Sequence, residues 1–447
     1  MYRILVPTEK DIYELSELAK MFVPASDFVM EEKSSEGIAD LEVFPGTKNQ
    51  MKQQIYAFFK EKTGITPDWG ILIGVKPEKL YHQLENEFGR TEAERKLSEE
   101  YFVLPEKLSL LREIANVQKA SRQSDDPNAV GVYIGIPFCP SRCLYCSFTS
   151  NTYKKEAADK YTEALLKEIS AVKKIMAKRK LFAESIYIGG GTPTSLDDEN
   201  FEKLMKAVSS ELLGKECTEF TVESGRPDTI TREKLDLISK YGGNRISINP
   251  QTMKAHTLEL IGRAHSPQQI LDAFKLAKNS DIKVINTDLI AGLPEESPED
   301  FKNSLDTMIA LGPQNITVHT LAVKRASRLI DEDPTLGIRQ AENVRKMLEY
   351  ASSALNKAGY SPYYMYRQKH MSGNFENTGY CLKGTQSVYN IRIMEENQSI
   401  IAMGAGGISK LYFPMENRIE RIANVSNYQI YIERIDEMIQ RKEKGIL

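Results

Sequence analysis

A chain of 447 residues is too long for one ordinary hydrophobic core and long enough for a large domain with one or two smaller units beside it. With 41% hydrophobic and 27% charged residues, a net charge of -3 and no run near the roughly 20 apolar residues of a membrane helix, the composition predicts a soluble protein with no membrane span and no global basic footprint for nucleic acid. Five cysteines, an odd number, behind a charged N-terminus without an export pattern exclude a disulfide framework, predict a cytoplasmic protein with reduced thiols, and raise the question of metal or catalytic use.

In chain order, residues 1–120 show helical periodicity over 48–62 and 97–120, with the apolar run Trp69-Gly-Ile-Leu-Ile-Gly-Val-Lys76 between them, and predict a small α-rich N-terminal accessory domain. Residues 121–129 gather turn formers and read as a linker. From 130 to 360, strand-like runs at 131–138, 185–190, 219–224, 245–250, 284–291 and 315–322 alternate with amphipathic stretches, the pattern of parallel strands joined by crossovers. Ser266-Pro-Gln-Gln269 and Ser297-Pro-Glu-Asp300 each provide an N-cap serine, a proline at the first helical position and an acceptor three residues on. Residues 361–447, where the alternation fades, are expected to form a C-terminal extension packing on the barrel and closing with a helix over 426–442. Periodicity does not separate an open doubly wound sheet from a barrel. In both, polar residues at the C-terminal ends of the strands converge on one rim, the usual place for catalysis.

Three cysteines lie directly after the first of these strands, in Gly135-Ile-Pro-Phe-Cys139-Pro-Ser-Arg-Cys143-Leu-Tyr-Cys146. Spacings of four and three residues let one loop wrap three thiolates around a metal centre, and thiolates favour iron-sulfur clusters and zinc. A cubane has four irons, so three protein ligands leave one iron open to a small molecule. Two plainer readings stand beside this: a zinc site completed by a distant ligand such as His319 or Cys381, or three unliganded core thiols.

The Cys-x-x-x-Cys-x-x-Cys spacing with Tyr145 before the third cysteine resembles the radical S-adenosylmethionine (SAM) superfamily. Tyr133-Ile-Gly-Ile-Pro-Phe-Cys139, Gly189-Gly-Gly-Thr-Pro-Thr194, Arg245-Ile-Ser-Ile-Asn-Pro-Gln251 and Asp288-Leu-Ile-Ala-Gly-Leu-Pro294 narrow the resemblance to the oxygen-independent coproporphyrinogen III oxidase family, in order over about 130–325. Trp69-Gly-Ile-Leu-Ile-Gly-Val-Lys-Pro77, Glu223-Ser-Gly-Arg-Pro-Asp228 and Val323-Lys-Arg-Ala-Ser327 look like its coproporphyrinogen dehydrogenase HemZ branch.

The resemblance implies an α/β protein with a partial parallel (β/α) barrel of radical SAM type, and a [4Fe-4S] cluster on Cys139, Cys143 and Cys146. It also implies SAM contacts at Tyr133, Tyr145, Gly190, Gly191, Thr192, Glu223, Gln251, Arg263 and Asp288. The residue chemistry agrees: a Gly-Gly-Gly-Thr-Pro loop without a following lysine suits amino-group recognition better than phosphate. Glu223 and Asp288, in strands that read as buried, each need a partner, for which ribose hydroxyls, the methionine ammonium or an internal salt bridge would serve. Arg263 could pair with the methionine carboxylate, while Gln251 and Tyr133 could equally be hydrogen-bonding core residues.

As activity, the resemblance implies oxygen-independent oxidative decarboxylation of coproporphyrinogen III to protoporphyrinogen IX in haem biosynthesis, an oxidoreductase drawing on a low-potential electron donor such as flavodoxin or ferredoxin. A four-carboxylate macrocycle asks for planar apolar surface with arginine or lysine, for which Lys324, Arg325, Arg328, Arg142, Arg367 and Lys369 are candidates. Two features depart from the oxidases: Phe148 stands where they carry a further cysteine, and residues 1–120 do not resemble their N-terminal segment. The alternatives are a radical SAM enzyme acting on another tetrapyrrole, such as a methylating haem-degrading type, and a haem-binding chaperone. The chaperone motif His-Asn-x-x-Tyr-Trp has its nearest counterpart in Glu376-Asn-Thr-Gly-Tyr-Cys381, with His370 as a substitute ligand.

Overall fold

The computed structural model describes residues 1–33, 38–74, 76–121, 123–146, 148, 150–322, 340–368 and 375–446. The chain opens with β1 (Tyr2–Val6), α1 (Glu9–Ala19), β2 (Phe28–Glu32), β3 (Leu41–Glu42) and α2 (Lys48–Thr63). The three strands form a parallel sheet in the order β2-β1-β3. Helical periodicity over the first 120 residues does not reveal this sheet, because its strands are only two to five residues long. Ile4, Val6, Leu18, Ile55 and Phe59 close a core between it and the two helices. A capping box of Thr47 and Gln50 starts α2, and Gly64 at φ 70° stops it.

Helices α3 (Pro77–Phe88), α4 (Arg90–Glu99) and α5 (Pro105–Ala120) follow, around a separate cluster that includes Trp69, Tyr81, Leu97 and Ile114. Trp69-Gly-Ile-Leu72 forms a turn, with Gly70 N–H on the Pro67 carbonyl and Leu72 N–H on the Trp69 carbonyl, and its apolar side chains are buried in both clusters.

The main sheet is built from β4 (Ala129–Ile136), then, after the short pair β5 (Phe138–Cys139) and β6 (Asn151–Thr152), from β7 (Phe182–Gly190), β8 (Glu219–Glu223), β9 (Arg245–Ser247), β10 (Val284–Ala291) and β11 (Asn315–Thr320). These six run parallel as neighbours in the order β4-β7-β8-β9-β10-β11. Helices α6 (Lys155–Arg179), α7 (Asp198–Glu211), α8 (Arg232–Lys240), α9 (Ala255–Leu260), α10 (Pro267–Lys278) and α11 (Pro298–Leu311) fill the crossovers, and Ser266 and Ser297 cap α10 and α11 through capping boxes. The strands are largely buried on both faces: in β4 every residue but Tyr133 is buried, while β7 to β11 also bury polar residues such as Glu219, Arg245 and Asn315. Strand β9 keeps three ladder residues of the predicted 245–250, since Pro250 has no N–H to donate and Gln251 turns to φ 70°.

After α12 (Ala341–Lys357), the hairpin β12 (Ser361–Tyr366) and β13 (Asn377–Cys381) adds antiparallel strands beside β11. Helix α13 (Val388–Glu395) then leads to β14 (Ile400–Met403), which pairs parallel with β4 at the other edge and is continued by β15 (Ile408–Phe413) and β16 (Arg418–Ala423). The arrangement is a partial parallel (β/α) barrel extended at both edges. The predicted final helix is two helices, α14 (Tyr428–Glu433) and α15 (Ile435–Ile446), separated at Arg434, whose φ of -112° and ψ of 26° leave the helical region.

Candidate cluster and cofactor site

The C-terminal ends of β4 and β7 place two loops against each other. Beyond β4 the chain forms the short strand Phe138–Cys139 and then the cysteine loop. Beyond β7 it forms the glycine loop, where Gly190 adopts φ 106° and a Cβ on Gly191 would fall 2.4 Å from the Phe138 carbonyl oxygen. Only glycine allows that approach. The loops are laced by Gly191 N–H to the Ile136 carbonyl and Thr192 N–H to the Phe138 carbonyl, both at 2.7 Å. The Thr192 hydroxyl donates to Cys139 Sγ at 3.5 Å. On the far side, Leu144 N–H bonds the Ile261 carbonyl at 2.9 Å, and the Arg263 guanidinium lies against Tyr145 and Cys143.

These loops roof a cavity of about 380 Å3 at the strand ends, within the range of small-molecule sites. Cys139, Cys143 and Cys146 line it together with Tyr145, Gly190, Gly191, Thr192, Glu223, Gln251, Arg263 and Asp288. Of the residues singled out from sequence as cofactor contacts, Tyr133 is the exception: it stands behind Gly190, stacked on Tyr187 and Tyr389 with centroids 6.3 and 6.4 Å away, and Tyr187 lines the cavity instead. Tyr133 and Tyr187 are partners in the ladder, so alternation alone did not tell which ring reaches the rim.

Burial, and then repulsion from Asp288, push the Glu223 carboxyl up to about 7, against hydrogen bonding from Tyr187 and the Gly190 N–H. Gly190 N donates to Glu223 Oε2 at 3.1 Å. Asp288 faces His319, whose Nε2 is 3.5 Å from Oδ2 and whose Nδ1 is 3.2 Å from the Tyr366 hydroxyl. The internal partner considered for this carboxylate therefore exists, and it is an imidazole on the cavity wall rather than a lysine or arginine.

Several polar atoms that the cavity residues bury have no partner among the described residues: Ser247 Oγ, Asn249 Oδ1, Gln251 Oε1 and Arg263 Nε. An unpaired buried polar atom costs about 1–3 kcal/mol, and four around one cavity ask for a polar ligand. Gln251 is further held at a positive φ between two β10 bonds, Gln251 N–H to the Asp288 carbonyl and Ile290 N–H to the Gln251 carbonyl. A glutamine there is strained, and the ladder on both sides enforces it. Ser247 and Asn249 escaped the sequence reading because each sits in a strand-like run where an isolated polar residue carries no spacing signal.

The donor set, three cysteine thiols at the rim of one cavity, suits an iron-sulfur cluster. Of the two fourth ligands offered from sequence, Cys381 is buried with Tyr363, Tyr364 and Ile391 and does not line the cavity, whereas His319 does. Burial raises the Cys139 and Cys146 thiols, and coordination is what keeps such thiols deprotonated.

The expected substrate cations divide. Arg142 is exposed in the cysteine loop. Lys324, Arg325, Arg328, Lys369 and His370 lie outside the described residues. Arg367 is a correction: it is buried, donating to the Leu72 carbonyl at 2.6 Å and lying 5.5 Å over the Trp69 ring, because the β12 end that carries it is docked on the N-terminal coil. Glu376, at the chaperone motif's histidine position, likewise turns away to Trp69 Nε1 at 2.8 Å and Lys107 Nζ at 2.6 Å, while Asn377 lines the cavity.

Residues 133–308 match the family model of the radical SAM superfamily. The chain is 38% identical to the "oxygen-independent coproporphyrinogen-III oxidase-like protein HemZ" of Bacillus subtilis over 92% of this chain and 83% of that protein. It is 29% identical to the "heme chaperone HemW" of the same organism over 61% of this chain and 69% of that one. Among solved structures it is similar to coproporphyrinogen III oxidase HemN from Escherichia coli, a radical SAM enzyme, with a TM-score of 0.56, 22% identity and 73% of each chain covered.

Proposed function

The chain belongs to the oxygen-independent coproporphyrinogen-III oxidase-like proteins of the radical SAM superfamily, which use a [4Fe-4S] cluster and SAM, and from that premise we propose that it oxidatively decarboxylates propionate side chains of coproporphyrinogen III to the vinyl groups of protoporphyrinogen IX. The observation that supports a SAM-dependent activity most directly is the set of unpartnered polar atoms on residues that line one cavity with the three cysteines.

Cys139, Cys143 and Cys146 would hold the cluster, and Glu223, Gln251, Arg263 and Asp288 the nucleoside and methionine parts of SAM. Bound there and supplied with an electron by a low-potential donor such as flavodoxin or ferredoxin, the cluster and SAM would supply radical chemistry able to take a hydrogen atom from an unactivated C–H bond. The chain's own work is positional. The glycine loop brings backbone against the thiolate loop, Arg263 offers Nε to a carboxylate, and Asn249 and Gln251 offer carbonyl oxygens to ammonium or hydroxyl donors. Tyr364, Tyr366 and His319 line the same cavity from β12 and β11 and would set the substrate ring beside the radical. In the overall change each of the two reacting propionates loses one hydrogen atom, one electron to a one-electron acceptor, and carbon dioxide, leaving a vinyl group, while the other two propionates are kept.

Anaerobic incubation with coproporphyrinogen III, SAM and a low-potential reductant tests this by product mass. Formation of 5'-deoxyadenosine with stepwise loss of carboxyl groups supports it. Production of 5'-deoxyadenosine with all four carboxyls retained removes it and leaves a radical SAM enzyme for another tetrapyrrole. Similarity to HemW favours a second reading, haem transfer, for which the readout is tight haem binding without porphyrinogen turnover.

A further inference from the structure

The segment Glu223-Ser-Gly-Arg-Pro-Asp228 contains an arginine that the reading above leaves unused. Arg226 is 3% exposed and lines the cavity on the Cys139 side. Its guanidinium is bidentate on Asp228, Nε to Oδ1 at 3.0 Å and Nη2 to Oδ2 at 3.1 Å. The remaining nitrogen, Nη1, donates to Ser141 Oγ at 3.0 Å and approaches the Ser141 carbonyl at 3.4 Å. Ser141 lies midway between the first and second cysteines, and its hydroxyl also donates to the Gly262 carbonyl at 3.1 Å, next to Arg263.

The bidentate pair fixes the guanidinium plane, so that the third nitrogen is presented to the loop at no further cost in side-chain freedom. Burial would raise the Asp228 carboxyl, but hydrogen bonding with His265 and the charge of Arg226 hold it at about 2, so the pair is ionised throughout the working range. Arg226 reaches the loop between Cys139 and Cys143 through Ser141, and Arg263 lies against Cys143. Two buried guanidinium groups thus bracket the thiolate loop.

We propose that Arg226 is a positioning residue for the cluster: locked by Asp228, it holds the loop between the first two thiolates through Ser141 and, as a fixed buried cation, makes the bound cluster easier to reduce. Second-sphere hydrogen bonds and charge are the protein's levers on such a centre, and a cation favours the more negative, reduced state. The inference rests on the chain being a radical SAM protein and not on which tetrapyrrole it handles.

The test is potentiometric titration of the anaerobically reconstituted full-length protein, with iron release to a ferrous chelator as a second readout. Arg226→Gln is expected to shift the potential to a more negative value and to release iron several-fold faster. Arg226→Lys keeps the charge but cannot bridge Asp228 and Ser141, so its potential should stay near that of the parent while iron release is fast. Asp228→Asn removes the opposing charge and should shift the potential upward. An unchanged potential in Arg226→Gln, or shifts of the same sign in Arg226→Gln and Asp228→Asn, would overturn the proposal in favour of a purely structural ion pair. If Arg226→Gln does not retain its cluster, the order of Asp228→Asn, parent and Arg226→Lys decides, with Asp228→Asn required to lie highest. Failure to decarboxylate coproporphyrinogen leaves these readouts untouched.

Discussion

Two buried polar regions of this molecule stand in contrast. Beneath the sheet edge, Glu168 and Lys442 are both fully buried, and every oxygen of the carboxylate is used: Oε1 accepts from Lys442 and Asn424 at 2.6 and 2.8 Å, and Oε2 from Tyr431 and the Gly404 N–H at 2.6 and 2.8 Å. At the strand ends, by contrast, Ser247, Asn249, Gln251 and Arg263, all lining one cavity, each keep a buried atom without a partner among the described residues. The closed network ties α6 to α15 and the strand-end loops between them; the open set is tied in by other bonds, such as those of Arg263 to the Gly225 and Asn249 carbonyls, and still keeps polar atoms unused. A satisfied polar cluster specifies a fold, whereas an unsatisfied one awaits a ligand.

That contrast can be broken at both ends. The largest effect is expected at the open site: Cys143→Ser should reduce cluster iron and sulfide, and SAM cleavage with them, to background, with the denaturant midpoint of the metal-free protein unchanged. A midpoint that falls as well would make Cys143 architectural. At the closed site, Lys442→Met should cost about 3–5 kcal/mol in chemical denaturation, the usual loss when one member of a buried ion pair is removed. A cost under about 1 kcal/mol would show that the network is not the lock described here.

Protonation sharpens the comparison further. The native Glu223 carboxyl keeps its proton up to about 7, whereas the unfolded chain releases it near the ordinary 4.5, so the native state binds more protons between those values. Stability of the metal-free protein should therefore fall as pH rises from about 4.5 to 7, and that slope should be shallower in Glu223→Gln. An unaltered slope would place the titrating group elsewhere. The smallest effect is at Gln251. Gln251→Gly relieves the positive φ and should stabilise the protein by up to about 1 kcal/mol. The same change should weaken SAM binding roughly tenfold, by removing the oxygen proposed to meet the ligand. Opposite signs in stability and affinity are the mark of a residue strained for a ligand.

How much of this was legible beforehand varies with the range of the interaction involved. The six strands, the capped helices α10 and α11 and the three-cysteine loop are local patterns, set by burial on both faces, by side chains reaching three residues along, and by spacing. The N-terminal sheet was hidden because strands of two to five residues carry too few periods to be recognised. Arg367 was misjudged because a cation near a strand end reads alike whether it faces a substrate or, as here, a tryptophan 298 positions earlier in the chain.

The amino-acid sequence by itself determined the parallel α/β pattern, the capped helices and the thiolate loop, since each follows from periodicity, capping or spacing within a few residues. Only the tertiary structure decided that Tyr187 rather than Tyr133 reaches the cavity, that Arg226 is clamped beneath the cysteine loop, and which buried polar atoms stay unpaired. Those outcomes depend on which distant segments meet, and the register of a ladder or the docking of a hairpin is settled by packing over the whole chain rather than by any residue's own preference.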